Sequence, residues 1–282
     1  MNSTHSPQAL ARLRAAKGFV FDMDGTLVLA DARHQGATAL PGGVDLLREL
    51  ASQGLPFAVF TNGTVKPPAA LAQVLGDAGL AVAPQQVMTP TTVAATLLRR
   101  RGVQRVMMIG AEAGRVPLLE AGIEVTDSRA PHAVDAVYVA WYRDFDMDDL
   151  ENAARAIWDG AAFLAGSLNP FYMTATGRAI GTSRAISAAI ASLTGKRPTL
   201  TGKPSPLALR DALRRLGVGA GDLVVVGDDA GLEMSMARRG GALGVLVQTG
   251  VTGAVNTDAL PAAHRPDLVV RDAAELARLW GG

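Results

Sequence analysis

Hydrophobic positions in this chain fall in short, nearly unbroken runs. The clearest are residues 19–21, 57–61, 105–109, 136–140, 162–165, 223–226, 243–247 and 268–270. A run of this kind fits a strand buried on both faces, because a half-buried strand would alternate apolar with polar positions. Between the runs, helical patterns are predicted over 44–52, 68–79, 91–101, 147–159, 182–193, 206–216 and 273–280. Pro41 and Pro206 stand where a helix begins; Gly54, Gly79, Gly102 and Gly217 stand where one ends. Strands alternating with helices predict an α/β protein with a parallel sheet.

Composition narrows the picture by exclusion. With 282 residues, 49% of them hydrophobic, the chain can bury one or two cores. Its net charge of +1 and its lack of a basic run or acidic tail give no footprint for nucleic acid or an anionic membrane. The absence of cysteine removes disulfides, thiolate metal sites and cysteine nucleophiles. Residues 1–17 have no apolar stretch of signal-peptide type, and no run reaches the length of a membrane span. The expected location is the cytoplasm. His5, His34, His132 and His264 have no metal-ligand spacing, and Met107 and Met108 read as core.

Four apolar runs lead into or follow polar clusters. Gly18-Phe19-Val20-Phe21 leads into Asp22-Met23-Asp24-Gly25-Thr26, and Val59-Phe60 into Thr61-Asn62-Gly63-Thr64. Leu200-Thr201-Gly202-Lys203-Pro204-Ser205-Pro206 opens a helix, and Val224-Val225-Val226 ends in Gly227-Asp228-Asp229. In a parallel sheet the C-terminal strand ends gather along one edge, where ligands bind. The clusters occupy 22–64 and 202–233. The stretch between them is too long for a loop and repeats the strand–helix pattern. The expectation is therefore a discontinuous core, 1–102 with 198–282, and an inserted domain over 103–197. The Gly195-Lys196-Arg197-Pro198 turn is read as the return hinge.

D-x-D-G-T, a strand-ending T-N-G, G-K-P-S-P before a helix and V-V-G-D-D, in this order, resemble the motifs of the haloacid dehalogenase (HAD) superfamily of phosphatases. The long insert between the second and third motifs resembles the NagD-like branch with its C2-type cap. The resemblance runs from about Gly18 to about Thr252 and implies a Rossmann-like α/β core plus an inserted α/β cap. It implies a Mg²⁺-dependent phosphatase for small phosphate monoesters, with a homodimer through the cap as a further expectation. Asp22 then attacks phosphorus to give an aspartyl-phosphate, and Asp24 serves as general acid and base. Thr61, Asn62 and Lys203 hold phosphoryl oxygens. The metal set is Asp22, the Asp24 carbonyl and Asp228, since Mg²⁺ takes hard oxygen ligands. Of Asp228 and Asp229 one is a helix N-cap, with Asp228 chosen for the metal. Asp229 and Glu233 support the site from behind.

The predicted cap departs from the pattern. Asn169 stands where many relatives carry an acid, Ile180-Gly181-Thr182-Ser183 replaces a glycine-rich turn, and Val139-Ala140-Trp141-Tyr142 replaces V-G-x-D. The fourth motif ends in Leu232-Glu233 where T-D is usual. Trp141, Tyr142, Phe171 and Tyr172 are candidates for a ring-stacking pocket. Asn169, Tyr172 and Arg178 are the candidate substrate contacts, Arg178 for a second anionic group. Two alternatives stay open: a mutase-type phosphotransfer, and a silent phosphate-binding protein of the same fold. A dinucleotide-binding reading fails because no strand leads into G-x-G-x-x-G.

Overall fold

The structure, a computed structural model, describes residues 6–30, 36–129, 133–174, 177–254 and 256–282. His5, His34 and His132 lie outside the described residues. The chain divides into two compact units. One comprises residues 1–61, 69–88 and 204–282; the other comprises 62–68 and 89–203.

The first unit is built on a six-stranded parallel sheet. Its order across the sheet is Leu268–Val270, Leu243–Val247, Leu223–Gly227, Gly18–Phe21, Phe57–Phe60 and Val87–Met88. The chain starts in the middle, winds out to one edge through Phe57–Phe60, and later winds to the other edge from Leu223–Gly227. Gly18–Phe21 is thus flanked by strands of opposite winding, the switch point at which α/β sheets bind ligands. Every residue of Gly18–Phe21, Phe57–Phe60, Leu223–Gly227 and Leu243–Val247 is buried, as their unbroken apolar runs require. Phe19, Phe21, Val59, Val224, Val226 and Val245 share one apolar cluster with Leu46, Leu50, Leu75 and Leu276 of the covering helices. Phe19 stacks on Phe21 at 5.7 Å and meets Trp280 edge-on at 5.7 Å.

The second unit has a five-stranded parallel sheet in the order Thr199–Leu200, Ala162–Ala165, Ala136–Val139, Arg105–Ile109, Glu124–Thr126. Successive side chains of Arg105–Ile109 enter different cores. Val106 and Met108 join the cluster of Ala94, Leu98 and Leu118, while Met107 and Ile109 join that of Ala153, Ile157, Ile186 and Ile190. Helices Pro90–Arg100 and Val116–Glu120 cover one face, and Met147–Trp158 and Thr182–Thr194 cover the other.

The contact division falls at Thr89 and Lys203, where the sequence pattern placed it at 103 and 197. Two elements account for the difference. Helix Pro90–Arg100 puts Ala94, Ala95 and Leu98 into the cluster of the second sheet. The short strand Thr199–Leu200 pairs with Leu164 and Ala165 of that sheet. Two antiparallel hairpins, Val28–Ala30 with Ala37–Ala39 and Phe171–Thr174 with Gly177–Ile180, were not expected from the pattern. No helix among the described residues is long and apolar enough to cross a membrane.

Candidate active site

The first unit collects the carboxylates. Phe21 pairs with Val226 across neighbouring strands, and the Asp22 N–H donates to the Val226 carbonyl at 2.8 Å. Asp22 and Asp228 therefore follow two adjacent strand ends, 8% and 3% exposed. Thr26 Oγ1 donates to Asp22 Oδ2 at 3.4 Å. Gly25 turns the chain at φ +86, and a Cβ there would lie 2.5 Å from Asp228 Oδ2. That position requires glycine on both counts. Asp24 is exposed, and its Oδ1 accepts from the Ala30 N–H at 2.8 Å, across the hairpin that follows.

Behind the carboxylates, Asp229 caps the next turn, accepting from the Gly231 N–H at 2.7 Å. This is the capping role expected of one member of the Asp228-Asp229 pair. Ala230–Met234 forms a π-helical turn. From it Glu233, 1% exposed, turns back so that Oε2 accepts from the Asp229 N–H at 3.2 Å. A Cβ on Gly227 would sit 2.1 Å from Glu233 Cγ, so glycine makes room for this return. Thr61 follows the Phe57–Phe60 strand, and its N–H donates to the Met88 carbonyl at 3.2 Å.

The second unit holds the lysine. Asn62 Oδ1 accepts from the Lys203 N–H at 2.8 Å, and Asn62 Nδ2 donates to the Lys203 carbonyl at 3.1 Å. Each end of this amide makes one bond to the lysine backbone, which ties Asn62 to the residue expected beside it at the phosphate. Lys203 is itself 1% exposed, and an ammonium that deep demands opposite charge. Thr64 Oγ1 accepts from the Trp141 N–H at 2.9 Å, which ties the segment after Asn62 to the end of the Ala136–Val139 strand. Tyr138 is fully buried beneath this region, 3.2 Å from Thr91 Oγ1. Burial pushes its phenol up to about 12, against the lowering effect of bonds to Thr91 and Thr201.

These two constellations fit sequence models of known proteins. Residues 19–124 match the haloacid dehalogenase-like hydrolase model, and residues 200–276 match a HAD-hydrolase-like model. The chain belongs to the haloacid dehalogenase-like hydrolases. It is a NagD-like phosphatase of that superfamily, similar over nearly its whole length to several members. It is 29% identical to the ribonucleotide monophosphatase NagD of Escherichia coli K12 over 92% of this chain and 98% of that one. A 4-nitrophenylphosphatase structure from Thermotoga maritima superposes with a TM-score of 0.83 at 25% identity, covering 95% of this chain and 98% of that one. A glycerol phosphate phosphatase from Mycobacterium tuberculosis, solved in complex with magnesium, gives 0.79 at 26% identity, over 94% of this chain and 77% of that one.

The donor set of this HAD phosphatase suits a hard cation. Among the described residues no three His, Asp or Glu side chains form a metal cage. None is needed for Mg²⁺, which is held by one or two carboxylates and keeps several waters. Two buried carboxylates on adjacent strand ends, with a main-chain carbonyl at Asp24, match that demand.

The candidate substrate contacts are less united. The Arg178 guanidinium lies over the Phe171 ring at 4.4 Å, a cation–π contact that employs the side chain expected to meet an anion. Tyr172 pairs with Ala179 across the same hairpin. Asn169 lies just ahead of that hairpin, and its N–H donates to Ser167 Oγ at 3.3 Å. Trp141, Tyr142, Phe171 and Tyr172 form no ring stack among the described residues, whose ring pairs involve Phe19, Phe21, Phe57 and Trp280. Tyr142 instead lines a cavity of about 270 Å³ with Arg143, Phe145, Ile180, Thr182, Ala185 and Ile186. Tyr138 sits inside an apolar run, where the sequence gives no sign of its buried hydroxyl.

Proposed function

We propose that this phosphatase hydrolyses a small-molecule phosphate monoester through an aspartyl-phosphate at Asp22, with Mg²⁺ bound by Asp22, the Asp24 carbonyl and Asp228. The observation that carries the reading is the pair of buried carboxylates, Asp22 and Asp228, on adjacent strand ends at the switch point of the sheet. When bound, Mg²⁺ supplies the positive charge that lets a carboxylate approach a phosphate dianion.

In the first displacement an Asp22 carboxylate oxygen forms a bond to phosphorus, and the bond from phosphorus to the ester oxygen breaks. The Asp24 carboxyl gives its proton to the departing oxygen, which leaves as an alcohol. In the second, Asp24 takes a proton from water, the water oxygen bonds to phosphorus, and the Asp22–phosphorus link breaks to release inorganic phosphate. Thr61 donates to phosphoryl oxygens, and Lys203 places a point charge on them. Asn62 acts one step back, by fixing the backbone from which Lys203 projects. Asp229 and Glu233 hold the turn that carries Asp228.

The test is phosphate release from a broad panel of phosphorylated metabolites, with Mg²⁺ or EDTA, for wild type and Asp22→Asn. Release that requires Mg²⁺ and is lost in D22N supports the reading, and the ranking of substrates identifies the leaving group. Activity that survives D22N removes Asp22 as nucleophile.

A further inference from the structure

The loop after the Leu243–Val247 strand wraps the same two strand ends that carry Asp22 and Asp228. Four hydrogen bonds come from three of the four residues 249–252. Thr249 Oγ1 donates to the Gly25 carbonyl at 2.6 Å, in the turn that follows Asp22 and Asp24. The Val251 N–H donates to Asp228 Oδ2 at 2.7 Å. The Thr252 N–H donates to the Asp228 carbonyl at 3.0 Å, while Thr252 Oγ1 accepts from the Ala230 N–H at 3.0 Å. Gly250 lies so close that a Cβ on it would be 1.9 Å from Asp228 Oδ2, opposite Gly25 with its 2.5 Å approach.

The Asp228 carboxylate is thus gripped between two glycines from different loops, with one oxygen fixed by a backbone N–H. Thr249 ties those two loops to each other through its hydroxyl. That bond is a direct link between the Asp22–Thr26 turn and the loop that holds the Asp228 carboxylate. The sheet pairing ends at Phe21↔Val226 and Gly227↔Leu246, short of all three carboxylates. A bidentate or shared metal site needs its donors fixed more tightly than a free strand end provides.

We propose that Thr249–Thr252 is a positioning clamp for the cation site, and that the Thr249 hydroxyl sets the mutual placement of the Asp24–Gly25 carbonyls and the Asp228 carboxylate. This rests on the metal-site reading above. Thr249 touches neither substrate nor reacting atoms; it acts through Gly25.

The experiment is calorimetric titration of the metal-free full-length protein with Mg²⁺, for wild type, Thr249→Val, Thr249→Ser and Asp228→Asn, alongside melting curves without metal. T249V is expected to bind Mg²⁺ about tenfold more weakly, the scale of outer contacts on a metal site. T249S, which keeps the hydroxyl, is expected near wild type in Mg²⁺ affinity. The lost bond is expected to lower the metal-free melting temperature of T249V by a few degrees at most, and affinities are compared where every variant is folded. Should T249V fold poorly, Thr252→Val tests the other arm of the clamp, since it removes the acceptor of the Ala230 N–H, and wild-type Mg²⁺ affinity in it overturns the clamp. Wild-type Mg²⁺ affinity in T249V, or a loss in T249S as large as in T249V, overturns the clamp. Wild-type affinity in D228N overturns the metal-site reading itself, so the two failures are distinct.

Discussion

Asn62 and Lys203 stand 141 positions apart in sequence and are joined by a two-way bond, amide side chain to peptide backbone, at 2.8 and 3.1 Å. Asn62 mimics a strand neighbour for the backbone of Lys203. The consequence concerns rate more than fold. Asn62→Asp keeps the size and the acceptor but turns an oxygen toward the Lys203 carbonyl. We expect kcat to fall about 10- to 100-fold in N62D, the scale of a lost buried bond and a displaced catalytic group. Steady-state kinetics would show it, with weaker inhibition by inorganic phosphate. A variant with wild-type kcat would return Asn62 to an incidental role.

Gly202, just before the lysine, leaves no room for a side chain. A Cβ there would lie 2.3 Å from the Gly166 carbonyl and 2.6 Å from Asn62 Oδ1. Backbone cannot retreat cheaply, so Gly202→Ala is expected to cost about 1–3 kcal/mol and several degrees of melting temperature. Thermal unfolding by circular dichroism measures this; an unchanged melting temperature would contradict it.

The parts of this molecule that could be read from sequence are those whose pattern has a single physical cause. A strand covered on both faces must be apolar throughout, so Gly18–Phe21, Arg105–Ile109 and Leu243–Val247 declare themselves. The strand-ending carboxylates Asp22 and Asp228 stand out because stability alone gives no reason for them. Short elements have no such signature. Val87–Met88 is two residues long, and in the Phe171–Thr174 hairpin strand the paired rings Phe171 and Tyr172 hide the strand pattern. Glu233 projects from a π-helical turn, which no 3.6-residue period reveals. Asn62 is legible as a strand-end amide, but its bond to the Lys203 backbone is not, since a partner 141 positions away leaves no local pattern.

Tyr138 gives a pH signature. Its folded value, about 12, lies above the 10.0 of an exposed phenol. Below pH 10 both states keep the proton and stability is unaffected. Above it the unfolded chain loses the proton first, so the folded state loses stability as pH rises toward 12, by about 2 kcal/mol. Tyr138→Phe removes that slope, at a cost near neutrality of about 1 kcal/mol for the lost bond to Thr91. Denaturant unfolding of both proteins from neutral pH to pH 12 would show the curves converging; parallel curves would refute the assignment.

Asp24 is asked to serve the leaving group first and water second, and the two duties separate experimentally. Asp24→Asn should slow hydrolysis of an alkyl phosphate by about 10²–10⁴-fold. With 4-nitrophenyl phosphate, whose leaving group needs no proton, the first step should survive and the second should not. Rapid mixing is then expected to show a burst of nitrophenolate followed by slow turnover. Equal losses on both substrates with no burst would assign Asp24 another role.

The central claim is a covalent bond between Asp22 and phosphorus, and it can be caught chemically. Borohydride reduces an acyl phosphate but leaves a free carboxylate intact. The enzyme would be quenched into borohydride during turnover of 4-nitrophenyl phosphate with Mg²⁺, digested, and its peptides read by tandem mass spectrometry. The account predicts homoserine at position 22, dependent on substrate and Mg²⁺, and none elsewhere. An intact aspartate at position 22 in enzyme that is turning over, or reduction at a different carboxylate, would contradict it.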